Sequence, residues 1–187
     1  HYDEEAGWGW KKLYTDEQRN RLWNDYQAIF HRILPDVLRR EAPEAFYWPS
    51  SPMARLTGDR LQHATGLTNA GDTHYWGVWH KAEPFDHYGM NVSRFVSEYG
   101  FQSFPEPRSV RSYAAEHEMA LESEVMLSHQ KNGNGNRLIK TYMEMYYKEP
   151  KDFTSFLYMS QVQQAEGIRC AIEAHRRSKP YCMGSLY

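Results

Sequence analysis

Behind Thr15, the apolar residues Leu22, Tyr26, Ile29, Ile33 and Val37 recur at intervals of three and four. With Asp16 and Glu17 in the opening turn, this spacing predicts an amphipathic helix with an acidic start. Pro35 is expected to kink or divide it near Leu34, because its ring has no N–H to donate. Four short runs then break the helical rhythm and read as strands: Phe46, Tyr47 and Trp48; HYWGVWH at 74–80; Phe95 and Val96 within SRFVSEYGF; and the final YCMGSLY. Residues 53–72 and the stretch KAEPFDHYGMN read as long irregular loops. Further helices are predicted over 107–115, 120–127, 136–147 and 155–177, with the NGNGN run at 132–136 as a flexible loop. The stripes Leu138, Ile139, Tyr142, Tyr146 and Phe156, Met159, Val162, Ile168, Ile172 read as core.

No two of the four strand-like runs are joined by a tight hairpin, which favours parallel pairing and an α/β architecture. No linker rich in Pro, Gly or Ser divides the chain, and no repeat is evident. The 187 residues are 41% hydrophobic and 15% aromatic, against intrinsic disorder. Twenty-two basic against 24 acidic residues leave a formal charge of −2, so there is no net field for polyanions. Arg108, Arg111, Arg176 and Arg177 read as solvated, and no nucleic-acid partner is expected. No run of about 18 apolar residues is present, so no membrane-spanning helix is expected. Cys170 and Cys182 are too few for a disulfide scaffold and read as packing residues. The chain starts at His1 and stops on an apolar run; the ends read equally as a sequence entered midway through a longer protein and as a C-terminal strand tied into a sheet.

Candidate chemistry centres on Glu98, which follows a short apolar strand in FVSEYG. A carboxylate at the C-terminal end of a parallel strand sits where such folds place ligands. Glu98 taken alone reads more readily as a solvated strand-end glutamate, and it is the neighbours that shift the balance. Trp48, His74, Trp76, Trp79 and Tyr99 lie at or near strand ends, and their flat faces and hydrogen-bonding groups suit a sugar ring. Asp72, His74 and His80 have zinc-ligand chemistry, but their spacing matches no compact motif and no metal is expected. Neither GxGxxG nor GxSxG occurs, which leaves nucleotide cradling and serine hydrolysis unsupported.

GDTHYWGVWH (71–80), EPFDHYGMNVSRFVSEYGFQSFPEP (83–107) and CMGSLY (182–187), with WPSSP (48–52), resemble the catalytic barrel of β-mannosidases of glycoside hydrolase family 2. RFVSEYGFQS carries the family likeness, and GDTHYWGVWH favours the β-mannosidase branch. The resemblance implies the C-terminal half of a (β/α)8 TIM barrel: strands five to eight with the helix after strand four. Residues 1–187 would then be a partial barrel domain, incomplete at both ends. It implies retaining, exo-acting release of terminal β-D-mannose through a covalent intermediate on Glu98, with no cofactor. Tyr99 would lie beside the nucleophile. Trp48, His74, Trp76 and Trp79 would line the sugar pocket, with Trp8 or Trp10 from the other side. The implied partners are terminal β-mannosides in oligosaccharides or glycoprotein glycans, and the rest of the parent polypeptide.

In that family the acid/base glutamate ends a motif like Gly-Asn-Asn-Glu. No Asn-Glu pair precedes Gly7, and Glu4 and Glu5 lack the motif, so the acid/base is expected before His1. The chain alone is therefore expected to be inactive and, with open strand edges, prone to self-association. A β-galactosidase or β-glucuronidase of the same family, or a non-catalytic carbohydrate-binding module, are the competing readings.

Overall fold

A computed structural model describes residues 14–54 and 69–187. They fall into two compact units, each assembled from separate stretches of chain. Because the chain passes repeatedly from one unit to the other, no single linker marks the division in the sequence.

The first unit takes the residues up to His74, together with 93–98 and 180–186. It opens on α1 (Asp16–Gln27), where Thr15 and Gln18 form a reciprocal cap: the Thr15 hydroxyl accepts from the Gln18 N–H at 3.2 Å and the Gln18 side chain accepts from the Thr15 N–H at 2.8 Å. Pro35 does not interrupt the helical path beyond α1. Residues Ala28–Ile33 widen into a π-helical stretch, in which the Leu34 N–H reaches back five residues to the Ile29 carbonyl. Pro35 then falls in the first turn of α2 (Leu34–Glu41). Of the predicted stripe, Tyr26 is buried while Ile29, Ile33 and Val37 are exposed. The helix is tied down through tyrosines instead: Tyr47 donates to the Phe30 carbonyl at 2.7 Å and Tyr26 to the Pro49 carbonyl at 3.4 Å.

Three strands complete this unit: β1 (Thr73–His74), β2 (Phe95–Glu98) and β3 (Gly184–Ser185), in the order β1-β2-β3 and all parallel, in keeping with the lack of hairpins. Gly184 is required at the β2–β3 pairing, because a Cβ there would lie 2.0 Å from the Phe95 ring. Thr73 faces Val96 and His74 faces Glu98, so one step along β1 is two along β2. That irregularity sets His74 against the last residue of β2.

The second unit takes 75–92, 99–179 and Tyr187 and is helical: α3 (Gly77–His80), α4 (His87–Met90), α5 (Pro107–Val110), a 3-10 turn (Glu116–Glu118), α6 (Glu124–His129), α7 (Gly135–Tyr146) and α8 (Phe153–Arg177). Asp152 caps α8 by accepting from the Ser155 N–H at 2.7 Å, and His175, Arg176 and Arg177 complement its C-terminal dipole. The buried seam of α8 runs Phe156, Ser160, Gln163, Gly167, Ala171 and Ala174. Gly167 is needed in that seam because Phe85 comes within 2.9 Å of where a Cβ would be. At the centre, the Tyr142 ring stacks on Phe85 (centroids 5.5 Å apart), and its hydroxyl donates to the Glu83 carbonyl and accepts from the Trp79 N–H, both at 2.7 Å.

These findings correct the sequence-based fold class and the family assignment built on it. The described residues are predominantly helical, and their three strands form an open, uncurled sheet; they are not a segment of a (β/α)8 barrel of glycoside hydrolase family 2. Barrel closure needs strands long enough to tilt and stagger around an axis, whereas these have two, four and two residues. The aromatic run at 46–48 forms no strand, and its Trp48 bonds through the indole to a side chain rather than a ladder. The run at 74–80 leaves the sheet after His74 and turns at Gly77, whose carbonyl accepts from Lys81 and Glu83; the α3 segment is non-helical in backbone at Val78 and Trp79.

The second unit should lose stability on acidification. Burial holds the His175 pKa below its ordinary 6.5. The Tyr75 hydroxyl, donating to Glu83 at 2.5 Å, is the main cause holding the Glu83 carboxyl below its usual value. Both folded values are depressed, so both contributions are present above the unfolded pKa and vanish as pH falls through the folded one. Urea midpoints should therefore decline from near pH 6.5 downward, with the Glu83 contribution lost last, and His175→Gln should flatten the upper part of that decline. A midpoint constant between about pH 7 and 5 would contradict this.

Candidate active site

The strand ends of the first unit gather a polar cluster around Asp72, a residue 7% exposed immediately before β1. One carboxylate oxygen, Oδ1, accepts from the Trp48 indole N–H at 3.0 Å and the Met53 N–H at 2.9 Å. The other, Oδ2, accepts from the Ser51 hydroxyl at 2.5 Å and from the Ser97 hydroxyl. Four donors saturate the carboxylate, which fixes the WPSSP turn against the sheet.

From this anchor the contacts run outward. The Ser51 hydroxyl lies 3.0 Å from His74 Nε2, and His74 Nδ1 lies 3.2 Å from Glu98 Oε2. The His74 side chain is 1% exposed and that of Glu98 is 39% exposed. The arrangement thus ends in an accessible carboxylate at the C-terminal end of β2, braced by a buried imidazole. Such a carboxylate can act as a nucleophile or as a charge stabiliser towards a developing cation. On the Phe95–Ser97 face of the sheet, an apolar hollow of about 400 Å³ is lined by Phe46, Trp48 and Phe95 with Ser51 and Ser97.

The structure brings together Glu98, His74 and, through Asp72, Trp48. Trp76, Trp79 and Tyr99 belong to the second unit. Trp76 lies against Gly100, where a Cβ would be 3.3 Å from its ring. Trp79 is core: 3% exposed, edge-on to Phe101, and held at φ 91°, a strained conformation for a bulky residue. Tyr99 is 2% exposed and packs edge-on to Tyr88 and His175. Trp8 and Trp10 lie outside the described residues, as do Glu4 and Glu5. Among the described residues no group of three His, Cys, Asp or Glu is placed to hold a metal, and no helix is long and apolar enough to cross a membrane.

Sequence reasoning missed Ser51 and Ser97, which carry the contacts between Asp72 and His74. Ser97 carried a signal, being a polar residue that follows the apolar Phe95 and Val96 within β2. Ser51 read only as part of a turn.

No protein-family model matches the chain. Its sequence is 31% identical over 182 residues to β-mannosidase B of Aspergillus terreus, covering 91% of this chain and 20% of that protein. It is 33% identical over 178 residues to β-mannosidase B of Aspergillus clavatus, covering 89% and 20%. Its fold is similar to the crystal structure of β-D-mannosidase from Dictyoglomus thermophilum, with a TM-score of 0.74 and 32% identity over 86% of this chain and 19% of that one. The chain spans about a fifth of the length of these relatives. Together the similarities support a relationship to β-mannosidases.

Proposed function

We propose that the natural polypeptide carrying this sequence is a retaining, exo-acting glycoside hydrolase that releases terminal β-D-mannose, with Glu98 as its nucleophile. The observation that carries the reading is the similarity to β-mannosidases along nine-tenths of the chain, at about a third identity. The half-exposed carboxylate at the end of β2 supports it chemically.

In this reading a Glu98 oxygen attacks the anomeric carbon and the bond from that carbon to the aglycone oxygen breaks. The departing oxygen takes a proton from a second carboxyl group, about 5–5.5 Å from the first in retaining enzymes. That group, now a carboxylate, removes a proton from water as the water attacks the glycosyl ester. Mannose leaves and Glu98 returns as a carboxylate. Asp72 is ill suited to the second role, since all four of its acceptor positions are engaged. The acid/base is assigned outside the described residues, and the chain alone is expected to be inactive. Trp48 and His74, which lie in the same unit as Glu98, remain candidates for shaping the sugar site.

The stereochemistry of the first product tests the reaction class. Proton NMR of the natural polypeptide acting on an aryl β-mannoside should show β-mannose first, with the α-anomer appearing only by mutarotation. The α-anomer first would mean inversion and would refute a nucleophilic Glu98. Aryl β-galactosides and β-glucuronides in the same assay should be poor substrates, and a preference for either would replace mannose in the reading. Binding of mannosides without turnover would point to a carbohydrate-binding module.

A further inference from the structure

We infer that His74, locked by Ser51 and Asp72, is a positioning residue for the Glu98 carboxylate. The inference rests on the proposed role of Glu98 and adds a part that the similarity to β-mannosidases does not assign.

A count of hydrogens carries it. The Asp72 carboxylate only accepts, and Ser51 lies 2.5 Å from it, so the single hydroxyl hydrogen of Ser51 points at Asp72. Ser97 donates to the same Oδ2. The Ser51 oxygen, its hydrogen spent, can meet His74 Nε2 at 3.0 Å only as an acceptor, so Nε2 carries a hydrogen. The ring is thereby fixed in its plane, with its other nitrogen 3.2 Å from Glu98 Oε2. Two lone pairs would repel across that gap. A hydrogen on Nδ1 makes the contact attractive and holds one oxygen of the carboxylate. Burial supports the assignment, because a side chain 1% exposed has no water to substitute for these partners. The register irregularity between Thr73 and His74 is what brings the ring opposite Glu98.

In the proposed cycle the same carboxylate forms the glycosyl ester and later leaves it, so a loosened Glu98 should slow both steps. Misplacing a reacting group by an ångström can cost about 10²-fold in rate.

The test compares two near-isosteric replacements in the natural polypeptide, with an aryl β-mannoside as substrate. His74→Asn keeps a donor near the Nδ1 position, towards Glu98. His74→Gln keeps one near Nε2, towards Ser51. We expect His74→Gln to lower kcat by about 10²-fold with KM little changed, and His74→Asn to retain most of kcat. Ser51→Ala, which removes the acceptor for Nε2, should lower kcat by about 10-fold, and Ser51→Thr should restore it. A merely structural role would give equal losses in the two His74 variants, tracking their melting temperatures. Equal losses, or no loss, would overturn the inference. So would undiminished kcat in folded Ser51→Ala, which decides the matter if the His74 variants do not fold. Glu98→Gln is run in parallel: if it turns over normally, the nucleophile reading has failed, whatever the His74 variants do.

Discussion

Glu98→Gln should reduce hydrolysis of an aryl β-mannoside by on the order of 10⁴-fold or more, because an amide cannot form and release the glycosyl ester. The substitution changes no volume, and Glu98 is the outermost group of its cluster, so fold and substrate binding should survive. The loss should fall on kcat. A truncated Glu98→Ala variant should regain part of its turnover of an activated aryl mannoside when azide is added, since the small anion can occupy the vacated space and attack in place of the carboxylate. The product would then be the α-mannosyl azide, formed by a single inversion. Full activity in Glu98→Gln, or rescue yielding a β-azide, would each be incompatible with a nucleophilic Glu98.

The largest effect on stability is expected at Asp72. Removing its carboxylate in Asp72→Ala leaves the Trp48 indole N–H and the Met53 N–H without their acceptor. Ser51 and Ser97, already 3.1 Å apart, can turn to each other and recover one bond. Two orphaned donors, one buried and one part-buried, at about 1–3 kcal/mol each predict a loss of roughly 2–6 kcal/mol. Asp72→Asn keeps an acceptor for Trp48 and Met53 and turns its amide N–H groups to the serines, which can accept, so its cost should be clearly smaller. Denaturant unfolding monitored by tryptophan fluorescence would measure both. A loss below about 0.5 kcal/mol in Asp72→Ala would show that the cluster does not hold the WPSSP turn against the sheet.

Local signals in the sequence were the most reliable guides to this fold. The acidic start of α1 and the long helical period of 155–177 are visible because caps and periodicity act over a few residues. The parallel pairing of β1, β2 and β3 was also legible, since connections without hairpins leave few alternatives. What failed depended on distant partners. The run at 46–48 has the aromatic composition of a strand, yet Phe46 is 88% exposed and Trp48 is claimed by Asp72, 24 residues away. Pro35 was expected to kink or divide the helix near Leu34, where α2 does begin, but the π-helical stretch before it was not foreseen. The resemblance carried a barrel with it, and the described residues instead show an open three-stranded sheet and a helical majority. Within the site, Glu98 and His74 both stood out through their positions at or near strand ends. The serines between Asp72 and His74 did not, because a short hydroxyl acquires significance only from what folds against it.

The central claim is that Glu98 forms a covalent bond to the sugar. A 2-deoxy-2-fluoro-mannosyl fluoride should inactivate the natural polypeptide by trapping that ester, because the fluorine slows both steps while the fluoride leaving group favours the first. Peptide mapping by mass spectrometry should then find one adduct, on the peptide containing RFVSEYG, with fragmentation placing it on Glu98. An adduct on any other carboxylate, or continued turnover with no adduct, would contradict the account.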